Sequence, residues 1–150
     1  MKNDYTIIEP NTTSDFEKYY NLRWLTLRKE WFQDIGTEQD HTDRNSIHRM
    51  ILDSNYKAVA VGRLHFNSNK ESQIRYMGVH PMHRRCNLGT RLLNELEKIS
   101  LDSKRNNIIL HAREVAIKFY LANGYLLGPK SHILFNSIQH YLMTKTLYSN

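Results

Sequence analysis

The feature that most constrains this fold is a change in the spacing of apolar residues at Pro81. Before Pro81, three strand-like runs at residues 47–53, 56–66 and 72–79 are separated by short polar turns. After it, apolar residues recur at intervals of four, four and three, at Leu88, Leu92, Leu96 and Ile99. The first pattern predicts an antiparallel meander, and the second predicts a helix with one apolar face. The sheet and the helix then bury their apolar faces against each other.

The flanking regions add further helices and strands. Ser14 and Glu17 have capping-box spacing, which predicts a helix from Ser14 to about Lys29 after a strand at residues 5–8. Downstream, the pattern predicts a strand at 108–112, a helix at 115–122 ended by Asn123-Gly124, and strands at 125–127 and 138–147 separated by a Gly128-Pro129 loop. This mixed order predicts an α+β fold with three α/β/α layers, rather than a doubly wound sheet. The absence of repeats and linkers predicts a single domain over residues 1–150.

Composition narrows the class of protein. The chain of 150 residues has one cysteine, Cys86, which excludes an internal disulfide and a cysteine-based metal cluster. His80 and His83 lack neighbouring carboxylate or cysteine ligands, so we expect no metal. The first fifteen residues do not form a secretory signal, and no stretch approaches the roughly eighteen apolar residues of a membrane span. We therefore predict a cytoplasmic protein with no membrane partner.

A formal net charge of +6 predicts an anionic partner, such as nucleic acid, phospholipid or a phosphorylated small molecule. Scattered basic residues argue against nucleic acid, and their densest pair, Arg84 and Arg85, opens the long central helix. A helix N-terminus presents unpaired amides, Gly89 permits close approach of a ligand, and Thr90 adds a hydroxyl. The turn therefore suits a pyrophosphate, although an ordinary strand-to-helix connection with solvated arginines is the alternative.

The same turn resembles the acetyl-coenzyme A loop of the GNAT N-acetyltransferases. The matching residues are Arg84, Leu88 and Gly89, while Asn87 stands where the family usually has its first glycine. Asparagine tolerates a left-handed backbone well, so the loop shape can survive this substitution. The resemblance implies acetyl-CoA as co-substrate, bound by Met77, Gly78, Val79, Arg84, Arg85, Cys86, Asn87, Leu88, Gly89 and Thr90.

A second segment is similar to the family's Ala-x-x-Phe-Tyr-x-x-x-Gly-Phe signature, from Ala116 through Tyr120 to Gly124-Tyr125. By this resemblance Tyr120 donates a proton to the departing thiolate. The resemblance also implies a sheet of mostly antiparallel strands, splayed between its fourth and fifth strands, where the pantetheine arm binds like an added strand. An acceptor amine then attacks the thioester directly.

A weaker likeness points to a bacterial subgroup that is sometimes fused to a hotdog thioesterase domain. It is carried by residues 36–40 and by His111-Ala112-Arg113-Glu114. Glu38, His111, Arg113 and Glu114 are the candidate substrate residues, and His111 and Glu38 are candidate bases. The acidic residues Glu38, Asp40 and Asp43 could attract a cationic amine, but we interpret them first as a solvated face.

Three functions remain open from the sequence. The first is an acetyl-CoA-dependent N-acetyltransferase acting on a primary amine of a small molecule or protein. The second is a degenerate acyl-CoA-binding regulatory module, suggested by Asn87 and by Arg113, which stands at a position where the family frequently has asparagine. The third is a nucleic-acid binder. The sequence does not fix the oligomeric state and leaves a homodimer open.

Overall fold

A seven-stranded mixed sheet forms the centre of the computed structural model, which describes residues 4–149. The strands are β1 (Thr6–Ile8), β2 (Ile47–Leu52), β3 (Ala58–Phe66), β4 (Glu71–Val79), β5 (Asn107–Arg113), β6 (Leu126–Leu134) and β7 (Ile138–Thr146). Their order across the sheet is β1-β2-β3-β4-β5-β7-β6. Only the β4–β5 pair is parallel among these neighbours. This confirms the predicted meander and the mostly antiparallel sheet.

The helices are α1 (Thr13–Leu27), α2 (Leu88–Asp102) and α3 (Ile117–Ala122), and they form two layers around the sheet. Tyr19 of α1 packs in one apolar cluster with Met50. Leu92 of α2 packs in another with Ile51. Adjacent residues of a strand point to opposite faces of the sheet, so the contacts of Met50 and Ile51 place α1 and α2 on opposite faces. The three-layer α/β/α prediction is therefore confirmed. Within residues 4–149, no helix has the length and apolar character to cross a bilayer.

The start of α1 corrects one detail of the sequence prediction. The N-cap is Thr12, whose Oγ1 accepts the Asp15 amide at 3.0 Å, while the Asp15 carboxylate accepts the Thr12 amide. The predicted pair Ser14 and Glu17 was wrong, because both lie inside the helix. The α-helix also ends at Leu27 rather than near Lys29, and a short 3₁₀ turn follows it.

The C-terminal hairpin corrects another detail. The predicted Gly128-Pro129 loop lies within β6, which runs without interruption to Leu134. Proline is compatible with this strand because β6 is at the sheet edge, and its pairing with β7 shifts register on both sides of Lys130. The predicted helix at 115–122 also divides into a 3₁₀ turn, Glu114–Ala116, and then α3.

The sheet opens between β4 and β5, as the resemblance implied. Residues 71–74 pair with residues 107–110, and the paired segment stops there. Beyond it, Tyr76 and Met77 lie opposite the single residue Gly62 on β3, which makes a bulge with Tyr76 at φ 56°. A Cβ on Gly62 would lie 2.6 Å from the Met77 sulfur, so glycine makes room for this bulge.

The acidic loop between α1 and β2 is not the solvated face that the sequence predicted. Asp43 is buried and its carboxylate lies 2.9 Å from Arg23 and 3.0 Å from Arg63, both of which are fully buried. Asp40 lies 2.7 Å from Arg63, and Glu38 is also buried. Buried guanidinium groups require counter-ions, and this loop supplies them.

Candidate active site

A cavity of about 710 Å³ lies at the N-terminus of α2. One wall consists of Met77, Gly78 and Val79, at the part of β4 that has no partner on β5. The opposite wall includes the turn before α2. Nine of the ten predicted coenzyme residues line the cavity: Met77, Gly78, Val79, Arg84, Arg85, Asn87, Leu88, Gly89 and Thr90. Cys86 is exposed and lies outside this lining.

The turn before α2 has two left-handed residues, Arg85 at φ 65° and Asn87 at φ 62°. Asn87 thus adopts the backbone conformation expected of a residue replacing glycine. Its side chain makes no capping hydrogen bond. The first-turn amides of α2, which belong to residues that line the cavity, therefore have no cap from Asn87 and are available as donors for an anion.

Gly89 links the two sequence motifs physically. A Cβ at Gly89 would lie 3.0 Å from Cζ of Phe119, in α3. The glycine therefore allows the phenylalanine ring to pack on the start of α2, a role that the sequence analysis did not assign to it. Phe119 and Tyr120 are adjacent aromatic rings, with centroids 5.0 Å apart. Packing at Gly89 thus helps to fix the helix that carries Tyr120.

A second cavity, of about 370 Å³, adjoins the first where β4 and β5 separate. The two cavities share lining residues, including Met77, Arg113 and Tyr120. Tyr120 is 7% exposed, and burial raises the pKa of its phenol. Its hydroxyl therefore stays protonated at neutral pH, as a proton donor must be.

Three histidines line the second cavity on adjacent strands, His111 on β5, His132 on β6 and His140 on β7. The ring centroids of His111 and His132 are 5.3 Å apart, and those of His132 and His140 are 4.3 Å apart in a stacked pair. Burial lowers the pKa of all three, and for His140 to about 4. Nδ1 of His111 is buried and has no hydrogen-bond partner among residues 4–149. The cluster is thus neutral at pH 7 and has basic ring nitrogens.

Comparison with known proteins decides the family. The acetyltransferase (GNAT) family model matches residues 15–125. The chain belongs to the GNAT acetyltransferase family. This membership makes it an acetyltransferase, and it confirms the resemblance carried by the two motifs.

Individual GNAT relatives agree in sequence and in fold. The uncharacterized N-acetyltransferase YjcF of Bacillus subtilis strain 168 is 27% identical over 124 residues, covering 79% of this chain and 87% of YjcF. A GNAT family acetyltransferase from Staphylococcus aureus Mu50 superimposes with a TM-score of 0.80 at 16% identity, covering 97% of this chain and all of that one. An aminoglycoside 6′-N-acetyltransferase complexed with coenzyme A gives 0.79 at 17% identity, covering 97% and 98%. The two structures show that the chain has the GNAT fold.

The predicted substrate residues of this GNAT chain are only partly brought together. His111 and Arg113 line the second cavity. Glu114 is exposed and outside the lining of both cavities. Glu38 lines a separate cavity beside α1, where its carboxylate accepts the Gly36 amide at 2.6 Å. The structure therefore separates Glu38 and Glu114 from Tyr120.

Sequence reasoning missed several residues of the site. His132 and His140 meet His111 only because β7 lies between β5 and β6, an order that no local pattern reveals. Arg28 and Arg75 also line the second cavity, from the end of α1 and from β4. The one feature of the sequence that could have indicated these residues is the number of histidines and arginines to which the sequence analysis assigned no role.

Proposed function

We propose that this GNAT enzyme transfers the acetyl group of acetyl-CoA to a primary amine by direct attack within a ternary complex. The observation that supports this most is the meeting of two cavities at Met77 and Tyr120. One cavity begins at uncapped helix amides, and the other contains neutral histidines. A donor and an acceptor can thus approach one point from opposite sides.

The first cavity suits coenzyme A. In our proposal the amides of residues 87–90, with Arg84 and Arg85, bind the pyrophosphate. The pantetheine arm lies along β4, where residues 77–79 have no partner on β5 and form hydrogen bonds to the arm on that side, as to an added strand. Gly78 fits this role because a Cβ there would clash with Thr26 Oγ1, so the β4 backbone approaches α1 closely.

The second cavity supplies acid–base groups. In the proposed reaction His111 accepts a proton from the ammonium form of the acceptor, because an amine of pKa near 10 is mostly protonated at pH 7. The neutral amine forms the new C–N bond as the C–S bond breaks. Tyr120 gives its proton to the departing thiolate. The nitrogen then loses a second proton, which reprotonates Tyr120 through solvent, and His111 releases the first proton to solvent.

Thiol release tests the proposal. Purified protein is incubated with acetyl-CoA and a panel of primary amines, and free CoA is measured with a thiol reagent. We expect amine-dependent release above hydrolysis. Melting temperature with and without CoA is measured in parallel, since a ligand at a hundred times its Kd stabilises by about 2.7 kcal/mol. A shift with CoA but no thiol release from any amine would instead favour the degenerate binding module.

A further inference from the structure

The lining of the second cavity is strongly one-sided in charge. Arg28, Arg75 and Arg113 all line it, and the described residues of its wall include no aspartate or glutamate. Arg113 lines the first cavity as well, whereas Arg28 and Arg75 do not. Two of the three arginines are therefore specific to the second cavity.

Arg28 has only neutral hydrogen-bond partners. Its Nε donates to the carbonyl of Thr37 at 3.1 Å, and Nη1 donates to the carbonyl of Leu27 at 3.1 Å. The residue is 6% exposed, and within residues 4–149 no carboxylate lies at ion-pair distance from it. Glu38 acts on its charge without forming an ion pair. A buried guanidinium of this kind gains from an anionic ligand.

Arg75 belongs to a network with too few carboxylates. Among residues 4–149, the ion pairs of Arg23, Arg63 and Arg75 are made with two carboxylates, Asp40 and Asp43. The guanidinium groups of Arg75 and Arg28 lie 4.8 Å and 5.7 Å from the centroid of the Tyr76 ring. Both guanidinium groups therefore lie near one side chain of the cavity wall.

Within residues 4–149, Asp40 on Arg75 and Glu30 on Arg113 are the carboxylates at ion-pair distance from the arginines of this wall. Arg113 lies 3.6 Å from Glu30, but the Glu30 side chain is 65% exposed, so solvent screens the pair. Burial is the main cause of the lowered pKa of the three histidines, and the charge of Arg75 (on His111 and His132) or of Arg113 (on His140) adds to it. The positive potential thus extends to the histidines.

We infer that the acceptor is an amine that also carries an anionic group, a carboxylate or a phosphate, bound by Arg28 and Arg75. This inference rests on the proposed function and names its substrate class. The amine lies toward Tyr120 and His111, and the anionic group lies toward the guanidinium groups of Arg28 and Arg75. Polycationic amines are poor acceptors, because they would meet like charge on a wall without carboxylates.

Matched pairs of amines test the charge requirement. We compare kcat/KM for 4-aminobutyrate with that for butylamine and putrescine, and 2-aminoethyl phosphate with ethanolamine. We expect at least about 10-fold preference for the anionic member of a pair, the usual effect of a hydrogen bond between charged groups. The pair with the larger preference identifies carboxylate or phosphate. Equal or better use of butylamine or putrescine would overturn the inference.

Variants then connect the preference to Arg28. Arg28→Gln should lower kcat/KM for the preferred anionic amine about 10-fold and leave butylamine nearly unchanged, and Arg28→Lys should retain part of the preference. Arg44→Gln makes the same charge change at an exposed residue outside both cavities and serves as the control. If Arg28→Gln does not fold, Arg75→Gln provides the test at a half-exposed side chain. A parallel loss for both amines would contradict a role in charge recognition.

Calorimetry separates this inference from the proposed function. 4-Aminobutyrate and 2-aminoethyl phosphate are titrated into the protein–CoA complex of the parent and of Arg28→Gln. Binding that depends on Arg28, without thiol release, would support the charge recognition and reject the transfer reaction. Absence of binding by both probes, or equal binding by the variant, would reject the charge recognition whatever the turnover.

Discussion

Burial sets the protonation state of Tyr120. The side chain lies between two cavities, and loss of solvent raises the pKa of its phenol. A phenol is present elsewhere in the same core at Tyr125, whose ring centroid is 5.6 Å away. Tyr125 lines neither cavity. The two tyrosines therefore provide a matched test.

Tyr120→Phe should lower kcat by about 100-fold or more, the usual contribution of a positioned general acid. The ring is retained, so the dissociation constant of acetyl-CoA should change less than about 3-fold. Steady-state kinetics and calorimetry measure the two quantities. Tyr125→Phe should keep full turnover, and unchanged kcat in Tyr120→Phe would remove this phenol from the chemistry.

Backbone conformation is the second residue-scale feature. Asn87 lies at φ 62°, where glycine and asparagine are tolerated and a β-branched residue is strained. Asn87→Val should lower the free energy of unfolding by about 1–2 kcal/mol and weaken acetyl-CoA binding. Asn87→Gly is the control and should bind normally. Denaturant unfolding and calorimetry measure both effects, and equal stability of the valine variant would contradict the assigned strain.

At the scale of elements, the position of the α1 cap distinguishes the structure from the first interpretation of the sequence. Thr12→Ala removes an observed capping bond and should cost about 1 kcal/mol. Ser14→Ala, at an exposed residue within the helix, should cost less than about 0.5 kcal/mol. Chemical denaturation of the two variants measures the difference. A larger loss of unfolding free energy in Ser14→Ala than in Thr12→Ala would support Ser14 as the cap instead.

The local spacing of apolar residues was sufficient to predict most helices and strands, but not how the strands pair. The meander and α2 follow from the spacing of apolar residues, which depends only on neighbours in the chain. The continuation of β6 through Pro129 depends on its edge position, which is a property of the whole sheet. His111, His132 and His140 converge for the same reason. The motifs around Gly89 and Tyr120 could be recognised from the sequence because each lies within one short segment.

At the scale of the whole molecule, buried histidines make stability depend on pH. His140 has its pKa lowered to about 4, first by burial, against an ordinary value near 6.5. Below pH 6.5 the unfolded chain takes up a proton that the folded chain does not, so folding weakens as pH falls toward 4. Burial would raise the pKa of Asp40, but hydrogen bonds from Arg63 and Thr42 hold it below its ordinary value. Its stabilisation is therefore lost only below about pH 4.

The free energy of unfolding should therefore decrease between pH 6.5 and pH 4. His140→Gln should show a shallower decrease over that interval, because it removes the group that titrates. Denaturant unfolding at closely spaced pH values measures the slope. His41→Gln, at an exposed loop residue, serves as the control and should retain the parent slope. Identical slopes for the parent and His140→Gln would contradict the assignment.

Both borders of the sheet are poor templates for another chain. β1 has only three residues, and β6 combines Pro129 with two shifts of register. Proline donates no backbone hydrogen bond, and bulges twist a border strand away from a flat partner. Two copies of this protein cannot readily join their sheets end to end into a continuous ribbon. Resistance to fibre-like stacking through the sheet borders is thus already present in the folded chain.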